Sequence, residues 1–557
     1  MNIHRKLNGH SKKAKHKASD FKPASDARSL AYAAKDKHAY EAAAQLFGQS
    51  YAQTDDLNDR GEEIKAYIQL GLLSTAEFKI KQARELTSAS GFALLDAYVK
   101  VHQGKNQKAV DIILPLFSET GEAFDYAQAF FVLLTALNGL GDYERSIKHG
   151  KFAIAQFPED DRIWLRYCEA LNALRKSEEV FEVLEPRFEQ GNLSDALIAQ
   201  LALAHSFSDD QQRALELYNA YDEKRPGNPL INWNRSLTLL RLGKIEEGWK
   251  QYFKRWEWAG FPSPHRKFNK PLWAHGAENG RVLLWTEQGI GDELRFLSLL
   301  DKFAEVHGNN IVLEVQPKFI ESYKRTFSNI EVRPAFFLES MYSPREDFDS
   351  HLPIGSLPHI LNLPRDAFKR GAYIKTDPLR DFFWKDKMVR YSEKPKIGLA
   401  WRSKVMEGRS QWYTDINYWR DLILRDDISV ISLQYDDISK DLAVADPELV
   451  DRLYIPEFLD QMDDLEGAFS LIKAMDFVIT PGTSVAVMAS AVGVPTLSYG
   501  PLSPMSLTST PHMHEFPWHE NHWYVPITTV TNSSEMLHQS LHVIDQSTKK
   551  PTEEGKS

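Results

Sequence analysis

At 557 residues with a formal net charge of -10, the chain is too long for one hydrophobic core and too acidic for a general binder of nucleic acid or anionic membranes. Its single cysteine, Cys168, excludes an internal disulfide and any cysteine-based zinc site. The longest apolar run, Phe477 to Tyr499, is cut by Pro481, Gly482, Gly493 and Pro495, so it predicts strand, turn and helix in place of a membrane span.

The first 24 residues carry Arg5, Lys6, Lys12, Lys13, Lys15 and Lys17 before any acidic residue, with few apolar side chains between them. This predicts a disordered basic tail without the apolar run of an export signal, and hence a cytoplasmic protein. From residue 25 to about 260, glycine, small and aromatic residues recur about 34 positions apart, the period of tetratricopeptide repeats. The clearest unit runs from Asp125 to Pro158 with Leu137, Gly141, Tyr143, Ser146, Ala153 and Pro158. Ala202, Ala214, Tyr218 and Pro226 repeat the register, as do Trp233, Ser236, Gly243 and Tyr252. Gly at the hairpin turn supplies a left-handed backbone, small residues let helices approach, and Pro stops the second helix. Such hairpins stack into a solenoid with a concave, protein-binding groove.

After Trp258 the pattern changes, because Gly260, Pro262, Pro264 and Pro271 interrupt any helical period. Arg281 to Leu300 then reads as buried strand, glycine turn and amphipathic helix, and Ile311 opens the next strand. Phe348 to Pro358 leads into a loop. A break from Tyr373 to Lys394 separates this half, 275–385, from a second, 395–542, with strands at Pro395, Ile428, Asp476 and Pro495. Strands alternating with helices predict two parallel sheets, and the cleft between two Rossmann-like halves is the expected ligand site. Residues 543–557 predict a second disordered tail.

Four groups of residues fall at strand ends in this cleft. In EQGIGDE, Gly289 and Gly291 permit close backbone approach and aim helix amides at a negative charge; Asp292 could take a proton from a hydroxyl or simply cap the helix. This is neither a dinucleotide fingerprint nor a P-loop, since Arg295 and Phe296 stand where a third glycine belongs and no lysine follows. Gly482, Thr483 and Ser484 precede a small-residue helix and could hold phosphate or act as a plain cap. Arg402 in AWRS could neutralise a leaving nucleotide or lie on the surface. Gln434 and Tyr435 in SLQY could line a base or ribose pocket or end a buried strand. His512, His514, His519 and His522 are too loosely spaced for a metal site and predict a flexible loop closing over the cleft.

Taken in order, EEGWKQYFKRWEW, PLWAHG, LLWTEQGIGDELRF, LPIGSLP, IGLAWRS, ISLQY, DFVITPGTSVAVMASAVGVP and FPWHENHWYVP resemble the bacterial TPR-linked glycosyltransferase-like proteins. Their catalytic part is related to the ADP-heptose:lipopolysaccharide heptosyltransferases and has the GT-B fold. The resemblance covers about Trp233 to Pro526. It implies a TPR solenoid followed by a GT-B fold, with Asp292 as general base, Gly482, Thr483 and Ser484 on nucleotide phosphate, and Arg402 as charge stabiliser. Two positions depart from the pattern: Gly482 stands where members commonly have Asp, and Val487 where they have His.

Among similar proteins, the TPR-linked flagellin glycosyltransferases fit best. They imply transfer of a sugar, such as a nonulosonic acid, from a nucleotide-sugar to Ser or Thr of a protein held by the TPR groove. That reading calls for no metal or cofactor beyond the nucleotide-sugar co-substrate. The alternatives are a lipopolysaccharide or capsule glycosyltransferase, for which the chain shows no basic amphipathic helix, and a non-catalytic TPR scaffold with a relic GT-B domain.

Overall fold

The computed structural model describes residues 24–119, 124–208, 210–276, 280–335, 345–404, 412–527 and 541–543. Both tails expected from the sequence lie outside the described residues, apart from residues at their inner edges. The chain divides into two compact units, Met1–Lys176 and Ser177–Ser557. The boundary therefore falls inside the helical array, not near residue 260 where the helices end.

The first unit is a series of helical hairpins, from Ala24–Asp36 paired with Tyr40–Thr54 to Tyr126–Gly139 paired with Tyr143–Gln156, followed by Asp161–Ala173. The turn between paired helices needs one residue in the left-handed region. Gly71, Gly104 and Gly141 supply it at φ 72°, 71° and 73°. His38 and Arg175 hold the same place at φ 57° and 59° without being glycine, which is why the repeat is fainter there in the sequence. Acidic side chains cap the helix starts: Asp125, Asp142 and Asp160 accept from Gln128, Arg145 and Arg162 backbone N–H groups. Close packing fixes Gly150, where a Cβ would lie 2.7 Å from the Tyr167 ring. A concavity of about 850 Å³ in this unit is lined by residues including Lys35, Lys65, Tyr98, Gln128 and Arg162.

The second unit begins with the helices from Ser177–Glu189 to Ile245–Tyr252 and a 3-10 turn, Phe253–Glu257. Here Gly243 takes the left-handed turn position at φ 71°. The first sheet then forms from β1 (Val282–Trp285), β2 (Ile311–Val315), β3 (Glu331–Pro334) and β4 (Ser350–Pro353), in the order β3-β2-β1-β4 and parallel throughout. The segment from Phe348, for which the sequence offers no strand signal, contributes β4, with Pro353 in register with Trp285.

The helix Pro378–Tyr391, capped by Asp377, occupies the break between the halves. The second sheet comprises β5 (Lys396–Leu399), β6 (Ser429–Ser432), β7 (Phe477–Pro481), β8 (Thr496–Gly500), β9 (His514–Glu515) and β10 (His522–Pro526). Their order is β6-β5-β7-β8-β10-β9, parallel except for the β9–β10 pair. A helical repeat array followed by two Rossmann-like parallel sheets is the TPR-plus-GT-B architecture expected from the sequence. In each sheet the chain reverses its direction of growth beside one strand, β1 in the first and β5 in the second. The crevice outside the strand C-termini at such a reversal is where open α/β sheets bind ligands.

Candidate active site

The turn after β1 starts the helix Ile290–Leu297, and the turn after β7 starts the helix Ser484–Ala491. These two helix starts meet. A Cβ added to Gly291 would sit 3.5 Å from Ser484 Cα and 3.7 Å from Val487 Cγ2, so glycine at 291 lets one backbone lie against the other. Val487, one of the two departures from the family pattern, fills this contact with an apolar group. The positive end of each helix dipole therefore lies near this contact.

Asp292 takes the capping place and stays partly open to solvent. Its Oδ2 accepts the Gly289 N–H at 3.4 Å, a long capping bond, while Oδ1 accepts from Arg295 Nη1 at 2.8 Å. The carboxylate remains a third exposed and its arginine partner 13% exposed. Its neighbour Glu293 points the other way, fully buried, bonded to the Thr286 hydroxyl and accepting from the Gln316 N–H at 3.2 Å. Burial pushes the Glu293 carboxyl up to about 7 despite these bonds.

In the β7 turn, Gly482 donates its N–H to the Tyr499 carbonyl at 2.8 Å and Thr483 donates to the Pro481 carbonyl at 2.6 Å. Both amides are committed to the chain, leaving the Thr483 hydroxyl, 3.2 Å from that of Thr480, and the amides from Ser484 onward to face a ligand. Gly482 has room: its added Cβ would make ordinary contact, 3.5 Å, with the Tyr524 ring.

Arg402 leaves the end of β5, but its charge is met within the protein. Nε and Nη2 reach Asp441 at 3.1 and 2.6 Å, Nη1 reaches Asp436 at 2.5 Å, and Nη2 also reaches the Asp437 carbonyl at 3.1 Å. The hydrogen bonds it donates to Asp441, with the one to Asp436, hold the guanidinium protonated well beyond its ordinary range. Gln434 is equally engaged: Oε1 accepts from the Trp401 and Arg402 amides at 3.2 and 3.3 Å, and Nε2 donates to the Arg402 carbonyl at 3.0 Å and to Asp436 at 2.7 Å. The Tyr435 hydroxyl contacts Ser403 Oγ at 3.0 Å and accepts the Lys404 N–H at 3.1 Å. Together these residues brace the loops at the ends of β5 and β6. A further cation that the sequence reading did not single out is Lys404, whose exposed ammonium touches Met462 Sδ at 3.6 Å and has no carboxylate partner among the described residues. Its position two residues after Arg402 was the available signal.

The histidine-rich segment is not a loose lid. His519 and His522 are buried at 0% and 2% exposure, and β10 carries His522 between Ser490 Oγ at 2.9 Å and Ser498 Oγ at 2.6 Å. Burial drives the His519 imidazole down to about 3, aided by Arg295 and Arg370.

No family model matches the chain. The curated Protein FlbA of Caulobacter vibrioides is 28% identical over 318 residues, which are 53% of this chain and 52% of that protein. The chain therefore spans about half the length of the curated relative it matches. Among solved structures, the E. coli ADP-heptose lipopolysaccharide heptosyltransferase II overlaps 48% of the chain and 99% of its own, at 11% identity and a TM-score of 0.33. A tetratricopeptide repeat protein from Parabacteroides merdae overlaps 39% of the chain and 98% of its own, at 12% identity and a TM-score of 0.26. The architecture described above stands on its own strand order and register.

Proposed function

We propose that this chain is a metal-independent GT-B glycosyltransferase. It moves a sugar, such as a nonulosonic acid, from a nucleotide-sugar to a Ser or Thr hydroxyl of a protein, flagellin in the first instance, in the cytoplasm. The observation that carries this reading is the meeting of two glycine turns, one from each parallel sheet, with a partly exposed carboxylate beside them. In the reaction, the acceptor oxygen attacks the anomeric carbon, the bond from that carbon to the phosphate oxygen breaks, and the hydroxyl proton passes to Asp292 Oδ2. Arg295 occupies the other oxygen and holds the carboxylate in place. The first-turn amides after Thr483 and the ammonium of Lys404 meet the departing phosphate charge. Gly289 and Gly291 let the donor approach the backbone. Arg402, Gln434 and Tyr435 set the loops that shape the nucleotide pocket, and the groove of the first unit holds the acceptor. Its lysines and Arg162 alternate with carboxylates, as in the Lys65–Glu62 pair at 2.7 Å, which suits a peptide of mixed charge.

The test is intact-mass spectrometry of host flagellin after deletion of the gene and its restoration with wild type or Asp292→Ala. A sugar-sized mass lost on deletion, restored by wild type and not by the variant, is the expected result. With purified components, Asp292→Ala should lower transfer by about 10²-fold or more. An unchanged flagellin mass removes that acceptor. Transfer that survives the substitution removes Asp292 as base, and absence of any transfer by wild type favours the scaffold reading.

A further inference from the structure

We propose that Arg255, acting through Glu287, is a positioning residue for the turn that bears Asp292, so that the last helical hairpin is a working part of the site. What the turn does rests on the transferase reading above; how the turn is held rests on packing alone.

Arg255 belongs to the 3-10 turn that ends the helical array, and Glu287 directly precedes the turn after β1. Both side chains are wholly buried. The guanidinium grips the carboxylate with two bonds, Nε to Oε2 at 2.8 Å and Nη2 to Oε1 at 2.5 Å. The remaining valences are used as well. Glu287 Oε1 accepts the Gly355 N–H at 2.6 Å, and Arg255 Nη1 donates to the Tyr252 carbonyl at 3.2 Å and the Ser356 hydroxyl at 3.3 Å. Glycine at 355 is required by this arrangement, since a Cβ there would fall 2.4 Å from Glu287 Oε1.

A buried ion pair is a poor source of stability, because desolvation of both charges cancels most of their attraction; what it supplies best is a fixed geometry. The next residue shows what is being fixed. Gln288 has φ 60°, a left-handed conformation that a non-glycine residue keeps only when its surroundings impose it. It is held at two points: its N–H donates to Ser263 Oγ at 2.7 Å and its Nε2 to the Tyr252 hydroxyl at 3.0 Å. Tyr252, Arg255 and Ser263 thus clamp residues 287 and 288 from the helical side. Gly289, whose carbonyl accepts the Asp292 N–H at 3.1 Å, follows at once. The same hairpin reaches the second half, where Arg241 Nε donates to the Leu502 carbonyl at 3.1 Å.

The experiment compares full-length wild type, Arg255→Met, Arg255→Lys and the double variant Arg255→Met/Glu287→Leu. The readouts are residue-level amide hydrogen exchange, the melting temperature, and transfer kinetics resolved into kcat and donor KM. The double variant leaves no charge unpaired and is expected to melt close to wild type. Its amides from 288 to 292 should nonetheless exchange faster by about tenfold or more while β1 and β2 stay protected. Its kcat should fall by about tenfold with donor KM changed less than about threefold, as expected when a catalytic group is misplaced and binding is kept. Lysine at 255, which keeps the charge and part of the bonding, should recover part of both losses. The proposal is overturned if exchange at 288–292 in the double variant equals wild type, or if it rises in step with the rest of the sheet. Should wild type transfer no sugar, the transferase reading fails, while the exchange pattern still decides whether Arg255 sets the turn.

Discussion

The two turns that meet in the cleft are built from opposite chemistry. The turn after β1 is flanked by buried ionisable groups: Arg255 paired with Glu287 on one side and Glu293, bonded to Thr286, on the other. The turn after β7 has no charged residue from Phe477 to Gly500, and every residue of its helix from Val485 to Ala491 is buried. Small apolar residues fix the second turn by close packing, which needs no partner of particular chemistry. The first turn carries a left-handed glutamine and a half-free carboxylate, and directional bonds from distant segments hold it. Its geometry therefore depends on individual residues, and the turn after β7 should tolerate changes that the turn after β1 does not.

The largest expected effect comes from leaving one buried charge alone. Glu287→Leu strands the Arg255 guanidinium and should cost about 3–5 kcal/mol in unfolding free energy, measured by denaturant titration. The double variant with Arg255→Met should recover most of that loss. A cost below about 1 kcal/mol for the single change would mean that water reaches Arg255 and that the two turns differ less than their bonding indicates.

The same contrast explains which parts of the molecule were legible in the sequence. β1, β2, β5, β7 and β8 are short, largely buried runs built on aliphatic or aromatic residues with glycine or proline within three positions of them, and strands buried on both faces read that way. β4 escaped because Ser350, His351 and Pro353 give it the composition of a loop; it is an edge strand, where proline is tolerated. In the sequence the helix Pro378–Tyr391 looks like a break between strand blocks, although Asp377 before Pro378 is a regular helix-start signal. In the site, Asp292 and the glycines were visible because the turn is local. The Arg402 partners Asp436 and Asp441 and the Arg255 partner Glu287 lie more than 30 positions away, and no local pattern reports such a pair. His519 misled for a related reason: its prolines and aromatics suggested a loop, yet Trp518 and Phe516 bury the segment.

Next in size is the pH dependence of Glu293. Its folded value, about 7, lies above its ordinary 4.5, so the folded protein keeps a proton that the unfolded chain gives up across that window. Stability therefore falls as pH rises from 4.5 to 7, and the full loss, on the order of 3 kcal/mol, applies above it. Glu293→Gln removes this dependence, so its stability relative to wild type should climb between about pH 4.5 and pH 8 in parallel denaturant titrations. A constant difference across that range would show that Glu293 stays ionised in the fold.

His519 slopes the other way. Its folded value, about 3, lies below the ordinary 6.5, so its contribution is complete above 6.5 and is lost as pH falls toward 3. At about pH 5 the loss is on the order of 2 kcal/mol, and His519→Phe should make the protein less acid-sensitive by about that amount. An unchanged acid transition would place a proton on the buried ring. Since Arg295 presses on both His519 and Asp292, this measurement also probes the charge behind the first turn.

The smallest expected stability change is at the turn after β7. Thr483 makes no side-chain capping bond to the helix it begins, and its hydroxyl meets only that of Thr480, at 3.2 Å, among the described residues. Thr483→Ala should shift unfolding free energy by less than about 0.5 kcal/mol, because packing and not hydrogen bonding holds this turn. Nucleoside diphosphate binding, followed by thermal shift, is the informative readout. If the hydroxyl meets a phosphate, affinity should weaken by about tenfold, the size of one hydrogen bond to a charged group, with stability unmoved. Unchanged affinity would confine the turn's contribution to its backbone amides. A change in stability as large as that for Glu287 would instead make the Thr480–Thr483 contact structural, and the two turns would then be held by the same kind of force.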